Sequence, residues 1–470
     1  MTFGKGFQMR KIVVIGCGYV GLVTAACLAE VGHTVFCLDV DEKKVAALRR
    51  GKVPIYEPGL DELVVKNTAL SRLFFTSSYE EALQDALLVM IAVDTPPLKD
   101  GSCDTRNLKR AAQMIGETMT NDLAIVTKST VPVGSAQLIS SIIASSLQKR
   151  EVNFWFEVIS NPEFLREGHA IADFMHPDRV IIGLESERAE EIMRTLYQPF
   201  QHTPQTLLFM DVASSELTKY AANSMLALRI SFMNSLTSLC EKAGADIESI
   251  KRGIGSDSRI GPAFLNAGCG YGGSCFPKDV KALEQMMRSF GVPSDIITAV
   301  DTQNEQQKRM LGLKILSFFE NQGGIYDKTI AILGLAFKPD TDDMREAPSL
   351  VLIDELLKRG ASLRLYDPVA MENTKKILPS SSRILFCESE EEALTGAHAV
   401  ALVTEWQQFK TLDYKNLIQK MKGNAFFDGR NQFSPEEMGG FGFTYISVGR
   451  KPFQAEKFPI DMPQRVVYQS

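Results

Sequence analysis

Lys11-Ile-Val-Val-Ile-Gly16-Cys-Gly18-Tyr19-Val20-Gly21 decides the reading of the first part of the chain. The apolar run before Gly16 predicts a short buried strand. The glycines predict a tight turn, and the small and apolar residues up to Val31 predict a helix. Thr34-Val-Phe-Cys-Leu-Asp39 predicts a second strand, ending in an acid 18 residues beyond Gly21. Strand, glycine turn, helix, strand and acid in that order describe a dinucleotide-binding half. Gly18 lets the backbone approach a pyrophosphate, and the N–H groups at the helix start face its charge. Asp39 accepts from ribose hydroxyls. Its carboxylate repels a 2′-phosphate and no Arg follows directly, so NAD is expected rather than NADP.

Further strands follow in the same style at Leu87–Val93, Ala124–Ser129, Trp155–Ser160, Val180–Gly183 and Leu207–Met210. Three of them run into Asp94-Thr95-Pro96-Pro97, Ser129-Thr130-Val131-Pro132 and Asn161-Pro162-Glu163. The carboxyl ends of parallel strands line a ligand crevice, which puts Thr95, Thr130 and Glu163 in reach of cofactor or substrate. Taken one at a time, each also fits ordinary loop and cap chemistry.

The chain's 470 residues exceed what one core supports. Hydrophobic residues at 45% and charged residues at 23% are those of a soluble globular protein. A net charge of −6 speaks against a broad grip on nucleic acid. No apolar run has the length of a membrane span, and the opening residues are too short and polar for a secretion signal. Residues 1–8 read as a loose extension, and the Pro-bearing tail from Lys451 as loose as well. The eight cysteines form no CxxC pair and the five histidines have no metal-ligand spacing. No disulfide, no metal and a cytoplasmic location are expected.

From Val212 to about Lys242 a helix is predicted that is small and apolar all round and free of Gly and Pro. Lys219 and Asn223 share one face of it. That spacing leaves two readings open, an ammonium and amide aimed together at an oxyanion or a lysine carrying its head to water. Residues 243–320 continue as mostly helix, interrupted by Gly268–Ser274 and then Cys275-Phe276-Pro277-Lys278-Asp279. Glycines there allow close approach of backbone to a ligand. Lys278, and a helix starting after Pro277, both favour the thiolate of Cys275, so the thiol reads as a nucleophile rather than a bystander.

A second α/β pattern begins at Lys328-Thr-Ile-Ala-Ile-Leu-Gly334 and continues through strands at 362–367, 399–403 and 425–430. It lacks the full glycine fingerprint, so a second NAD is not expected. Lys338 and Arg430 follow strands, where they could hold a diphosphate. The fold expected is α/β, with two Rossmann-like doubly wound domains joined by a long central helix and a helical middle domain. The divisions are 1–211, 212–322 and 323–470.

The runs Asp94-Thr-Pro-Pro97, Lys128-Ser-Thr-Val-Pro132, Asn161-Pro-Glu-Phe-Leu-Arg-Glu-Gly168, Gly270-Tyr-Gly-Gly-Ser-Cys-Phe-Pro-Lys-Asp279 and Gly334-Leu-Ala-Phe-Lys-Pro-Asp-Thr-Asp-Asp-Met-Arg-Glu346, with the fingerprint and with Lys219 and Asn223, span nearly the whole chain. It resembles the UDP-glucose/GDP-mannose dehydrogenase family. The resemblance implies oxidation of a sugar-nucleotide alcohol to the acid with two NAD⁺, through a thiohemiacetal and a thioester on Cys275. UDP-glucose is the substrate expected. GDP-mannose or another nucleotide sugar is the alternative within the family, and a non-catalytic nucleotide sensor the alternative outside it.

By the same resemblance Lys219 and Asn223 steady the oxyanion and Asp279 manages the alcohol proton. Glu163 activates the hydrolytic water, which Thr130 helps to position. Cofactor contacts are expected from Gly16, Gly18, Tyr19, Val20, Gly21, Asp39, Lys44, Thr95, Pro96, Thr130, Glu167, Lys278 and Arg345. Substrate contacts are expected from Glu163, Phe164, Leu165, Lys219, Asn223, Asn266, Tyr271, Gly272, Lys338 and Arg430. Arg259 is expected to reach the neighbouring active site of a homodimer or larger homo-oligomer, with the long helix in the interface. Asp94 departs from the family pattern, where a small or amide residue is usual.

Overall fold

The computed structural model describes residues 10–454. The expected extension at 1–8 lies outside them, as do residues 455–470. The first residues of the tail are held rather than loose: Phe453 bridges antiparallel to Tyr445. The chain forms two compact units, Met1–Met225 with Lys278–Thr298, and Leu226–Pro277 with Ala299–Ser470.

The first unit is built on β1 (Lys11–Ile15), β2 (Thr34–Leu38), β3 (Leu73–Thr76), β4 (Leu88–Ile91), β5 (Leu123–Thr127), β6 (Phe156–Ser160), β7 (Val180–Gly183) and β8 (Leu207–Met210). They lie in the order β3-β2-β1-β4-β5-β6-β7-β8. Every neighbouring pair is parallel except β6 and β7, which meet antiparallel at Ser160 and Gly183. Alternation along β1 explains why the strand is apolar throughout. Ile12 and Val14 enter one core, Val13 and Ile15 the core on the other face, and all four are buried. The parallel run brings the carboxyl ends of β1, β4, β5 and β6 to one edge, and the loops after them carry the candidate residues.

The second unit holds β9 (Thr329–Leu333), β10 (Ser362–Tyr366), β11 (Ile384–Phe386), β12 (Ala399–Leu402), β13 (Ala425–Asp428) and β14 (Thr444–Ser447). Their order is β11-β10-β9-β12-β13-β14, all parallel. The first six strands of one sheet and all six of the other therefore share one winding, with the first strand central and the order reversing beside it. The two Rossmann-like domains expected from the sequence are present. Three short edge strands, β3, β11 and β14, are additions to that expectation.

The helix Val212–Ala243 has the predicted extent. The contact boundary between the units falls within it, after Met225. The helix Phe276–Ser289 starts one residue after Cys275 and carries Lys278 and Asp279 in its first turn.

Glycine positions make the fold's tolerance testable. A Cβ on Gly21 would lie 1.8 Å from the carbonyl oxygen of Gly16, the contact that lets turn and helix close on each other. On Gly253, in the exposed helix Ile247–Gly255, a Cβ meets nothing. Gly253→Ala should raise stability by about 0.5–1 kcal/mol through helix propensity, and Gly21→Ala should lower it by at least about 2 kcal/mol. Paired thermal melts read both. Equal shifts would mean that the turn does not depend on that contact.

Candidate active site

A cavity of about 280 Å³ opens at the ends of β1, β2 and β4, lined by Gly16, Gly18, Leu38, Asp39, Lys44, Tyr79, Asp94 and Arg110 among others. Asp39 sits at its centre. Its Oδ2 accepts from Cys17 N and Lys44 Nζ, both at 2.9 Å, and its Oδ1 from Asp41 N at 3.0 Å. Burial pushes this carboxyl up, but the Asp41 and Cys17 N–H groups and Lys44 outweigh it and hold it below the usual range. A carboxylate offers about four acceptor sites, so one remains for a ribose hydroxyl. The glycine turn, the open acid and the helix start fit a dinucleotide. Tyr19 and Val20 open the helix Tyr19–Glu30 behind that turn, and Val20 packs on the core. Thr95 donates through Oγ1 to the Thr130 carbonyl at 2.9 Å, which ties the loop bearing Pro96 to the loop after β5.

The second sheet tests that reading. Asp367 follows β10 as Asp39 follows β2, yet five donors surround it: Leu335 N at 2.7 Å, Ala336 N at 3.1 Å, Val369 N at 3.0 Å, Ala370 N at 2.8 Å and Trp406 Nε1 at 3.2 Å. It is fully buried and has no acceptor site left for a ribose.

Within the first unit the predicted catalytic groups assemble as two pairs from three chain segments. Glu163, three residues past β6, forms an ion pair with Lys219 at 3.1 Å, the side chains 7% and 4% exposed. Glu163 also accepts from Leu165 N at 2.6 Å. Burial alone would raise the Glu163 carboxyl; Lys219, the Leu165 N–H and Lys128 reverse this and lower it. One turn along the long helix, Asn223 Nδ2 donates to Asp279 Oδ2 at 2.6 Å, and Lys278 Nζ lies 2.7 Å from Asp279 Oδ1. Lys219 and Arg179 both lie over the ring of Phe164, at 5.0 and 4.2 Å. The burial of Lys219 excludes one of its two sequence readings: its head is not carried to water. The set combines an ammonium and an amide suited to a developing oxyanion with two carboxylates able to move protons.

The second unit holds the thiol. Cys275 is half-buried, with Ser274 Oγ 3.5 Å from its sulfur. The loop before it is clamped by side-chain amides. Asn304 accepts from Tyr271 N at 2.9 Å and donates to Tyr271 O at 3.1 Å, Gln307 donates to Gly268 O at 2.6 Å, and Asn234 accepts from Gly268 N at 2.9 Å. Gly272 lies against the backbone, where a Cβ would come within 2.4 Å of Glu346 O. Arg430 donates to the carbonyls of Val403 at 2.7 Å, Gly270 at 3.1 Å and Phe337 at 3.3 Å, so it braces the loop as well as adding charge. Lys338 Nζ lies 5.7 Å from the Phe337 ring centre. Arg345 and Arg259 are exposed, each in a two-point pair with the acid two residues before it, Asp343 and Asp257. Asn266 is exposed in the same unit, and Glu167 and Leu165 are half-buried in the first.

Sequence reasoning assigned nothing to Lys128, Glu57, Glu216, Asn304 or Gln307. Lys128 is 4% exposed, with Nζ 3.3 Å from Asn161 Oδ1 and 3.5 Å from Tyr197 OH. Burial pulls its ammonium down to about 8, with Lys219 pushing the same way and Glu163 opposing. Glu216 on the long helix accepts from Gly134 N at 2.8 Å and Ala136 N at 2.9 Å, which anchors the loop after Thr130. Only Asn304 and Gln307 left a signal, as two amides three residues apart on the helix face that also buries Val300, Lys308 and Leu311. Among the described residues no group of three or more His, Cys, Asp or Glu could hold a metal ion, and no helix is long and apolar enough to cross a membrane.

Models of the UDP-glucose/GDP-mannose dehydrogenase family match three stretches: the NAD binding domain at residues 10–201, the central domain at 213–306 and the UDP binding domain at 331–435. A UDP-glucose 6-dehydrogenase of Pseudomonas aeruginosa is 46% identical over 94% of this chain and 97% of its own. A solved UDP-glucose dehydrogenase of Pyrobaculum islandicum superposes with a TM-score of 0.84 at 37% identity, covering 92% of this chain and 97% of that one. A GDP-mannose dehydrogenase structure from Pseudomonas aeruginosa is more distant, at a TM-score of 0.51 and 26% identity over 90% and 97%. With the glycine turn, the open Asp39 and the Cys275 loop, these matches establish that the chain belongs to the UDP-glucose/GDP-mannose dehydrogenase family.

Proposed function

We propose that the chain is a UDP-glucose 6-dehydrogenase. It oxidises the C6 alcohol of UDP-glucose to the carboxylate, taking up one water and reducing two NAD⁺ to two NADH, with release of three protons. The observation that carries the reading is the buried Glu163–Lys219 pair beside a long-helix amide held by Asp279. Support for the sugar comes from the UDP binding domain match and from the nearer likeness to UDP-glucose enzymes than to the GDP-mannose enzyme.

Gly16, Gly18, Asp39 and Lys44 would hold NAD⁺, which would supply the hydride acceptor for C6. Asp279 takes the alcohol proton in the first oxidation, with Lys219 and Asn223 stabilising the oxygen as its charge grows. The thiolate of Cys275 adds to the aldehyde carbon; the C–S bond forms and the carbonyl pair moves onto oxygen. A thiol suits this step because it is both nucleophile and leaving group. After loss of the second hydride the carbon is a thioester. Glu163 then takes a proton from water as its oxygen adds, and the C–S bond breaks to return the thiolate. Thr130 positions that water.

Two copies of the chain pair along the helix Val212–Ala243. Leu217, Met225, Phe232 and Leu239 are 42%, 57%, 53% and 63% exposed and recur every two turns, the spacing of a helix–helix seam. Arg259, exposed on its loop, serves the neighbouring copy. The eight cysteines, none in a disulfide, fit a cytoplasmic enzyme.

Wild-type enzyme should yield two NADH per UDP-glucose consumed, and Cys275→Ser should give almost no acid. Substantial acid from the variant, or one NADH per sugar, removes the covalent route. Faster turnover of GDP-mannose would move the assignment of sugar.

Lys128 gives a pH signature. Its positive charge favours the ionised form of Glu163, so Lys128→Met should raise the Glu163 pKa and move the acid limb of kcat to higher pH. The same variant tests stability. The folded-state value of about 8 lies below the ordinary 10.5, so between these the unfolded chain binds the extra proton and stability rises with pH. Lys128→Met should flatten that rise in denaturant melts. A wild-type slope and an unmoved acid limb would together remove Lys128 from the Glu163 environment.

Arg259→Ala should lower kcat/KM by about tenfold or more, the loss of one charged contact. Mixing it with Cys275→Ser under subunit exchange should restore part of the activity, because each mixed dimer can pair an intact cysteine with an intact arginine. No restoration in demonstrated mixed dimers would place Arg259 outside the neighbour's site.

A further inference from the structure

Glu57 lies between two helices, Glu42–Arg49 and Leu60–Ala69, in a stretch with no sequence motif to recommend it. It is nevertheless 6% exposed, and its carboxylate holds three donors from two other segments. Oε1 accepts from Ala170 N at 2.7 Å, and Oε2 from Gly168 N at 2.6 Å and from the hydroxyl of Tyr19. The Tyr19 hydroxyl is itself 3.1 Å from Gly168 N. Tyr19 is the residue directly after Gly18 and the first of the helix Tyr19–Glu30. Gly168 and Ala170 close the loop that begins at Asn161 and carries Glu163, Phe164 and Glu167. The near end of that loop is fixed separately, by Asn161 Nδ2 donating to Ile181 O at 2.7 Å.

We propose that Glu57 is a positioning residue that locks the cofactor turn to the loop bearing Glu163, so that the hydride acceptor and the hydrolytic base are held in one register. The assignment rests on the dehydrogenase reading for the roles of Glu163 and the glycine turn. It goes beyond that reading by tying the two subsites through a side chain bonded to Tyr19, Gly168 and Ala170. Removing the carboxylate leaves Ala170 N and the Tyr19 phenol without their acceptor and Gly168 N with only its longer contact to the Tyr19 hydroxyl, which the loop relieves by moving. Burial, and then Glu57 itself, push the Tyr19 hydroxyl far above its ordinary range, so it acts as a fixed donor. A misplacement of about 1 Å at Glu163 is enough to slow turnover strongly.

The test is a double-mutant cycle in the full-length enzyme with Glu57→Gln, Tyr19→Phe and both together. Each single variant should lower kcat by about tenfold, with the KM for UDP-glucose changed less than about threefold. The double variant should be no slower than Glu57→Gln, because the two act through one contact. NAD affinity, titrated without sugar, should weaken by similar factors in both singles. Multiplicative losses in the double variant overturn the proposal. So does a kcat per folded enzyme equal to wild type with only a lower melting temperature. Should Glu57→Gln fail to fold, Tyr19→Phe alone decides, since it leaves both backbone contacts intact; wild-type kcat and NAD affinity in that variant overturn the lock. If wild-type enzyme reduces no NAD⁺ with UDP-glucose, the functional reading fails separately, and the NAD titrations then decide: unchanged affinity in all variants overturns the lock.

Discussion

Glu163 and Lys219 sit 3.1 Å apart with almost no contact to water. Two ions removed from solvent lose hydration worth several kcal/mol each, and their attraction offsets this only when the remaining lone pairs and protons are also satisfied. The local structure supplies those partners. Leu165 N closes on Glu163, the Phe164 ring faces the Lys219 ammonium, and Lys128 adds a second positive charge from β5. Such a pair is weak evidence for stability and better evidence for chemistry. Its net effect is a carboxyl held below its ordinary range beside a buried ammonium. The loop after β6 and the first turns of the long helix are fixed in relation to each other by this need.

Backbone N–H groups are the recurring partners of the buried acids. Asp39 takes Cys17 and Asp41, Glu57 takes Gly168 and Ala170, and Glu216 takes Gly134 and Ala136. In each case a carboxylate satisfies orphan donors at a turn or helix start of another segment, and Asp39 closes on its own loop at Asp41 as well. Glu216 is the clearest instance. The helix Ser135–Lys149 has Gly134 as its N-cap and no side-chain cap of its own, and an acid 80 residues further along supplies the acceptor. Loops that would otherwise be mobile are thereby held at points flanking the chemistry, while the segments between the points stay short.

How much of this the sequence disclosed follows from how local each feature is. The strand, glycine turn and acid at 11–39 lie within one supersecondary unit, so spacing alone revealed them. The Cys275 loop stood out because thiol, lysine and aspartate lie within five residues. Lys219 was ambiguous because spacing places a side chain on a face but cannot say whether that face meets water. Its partner is 56 residues away. Glu57 was invisible, since two of its three contacts are main-chain groups 111 and 113 residues on, and a main-chain donor has no letter in the sequence. The edge strands β3, β11 and β14 were not read from the sequence.

The two sheets carry this point into function. Their winding is the same, and in each a buried aspartate ends the strand beside the first. Asp39 keeps an acceptor site open to a cavity, whereas Asp367 is closed by four main-chain N–H groups and the indole of Trp406. The difference lies in what surrounds the acid: the turn after β9 runs Gly334-Leu335-Ala336 without the second and third glycines, and the indole N–H of Trp406 occupies an acceptor position on Asp367. One topology thus yields a dinucleotide pocket in the first unit and a sealed structural acid in the second. Freed of that duty, the second sheet's loops brace the glycine-rich segment before Cys275, through Arg430 and the carbonyls it gathers.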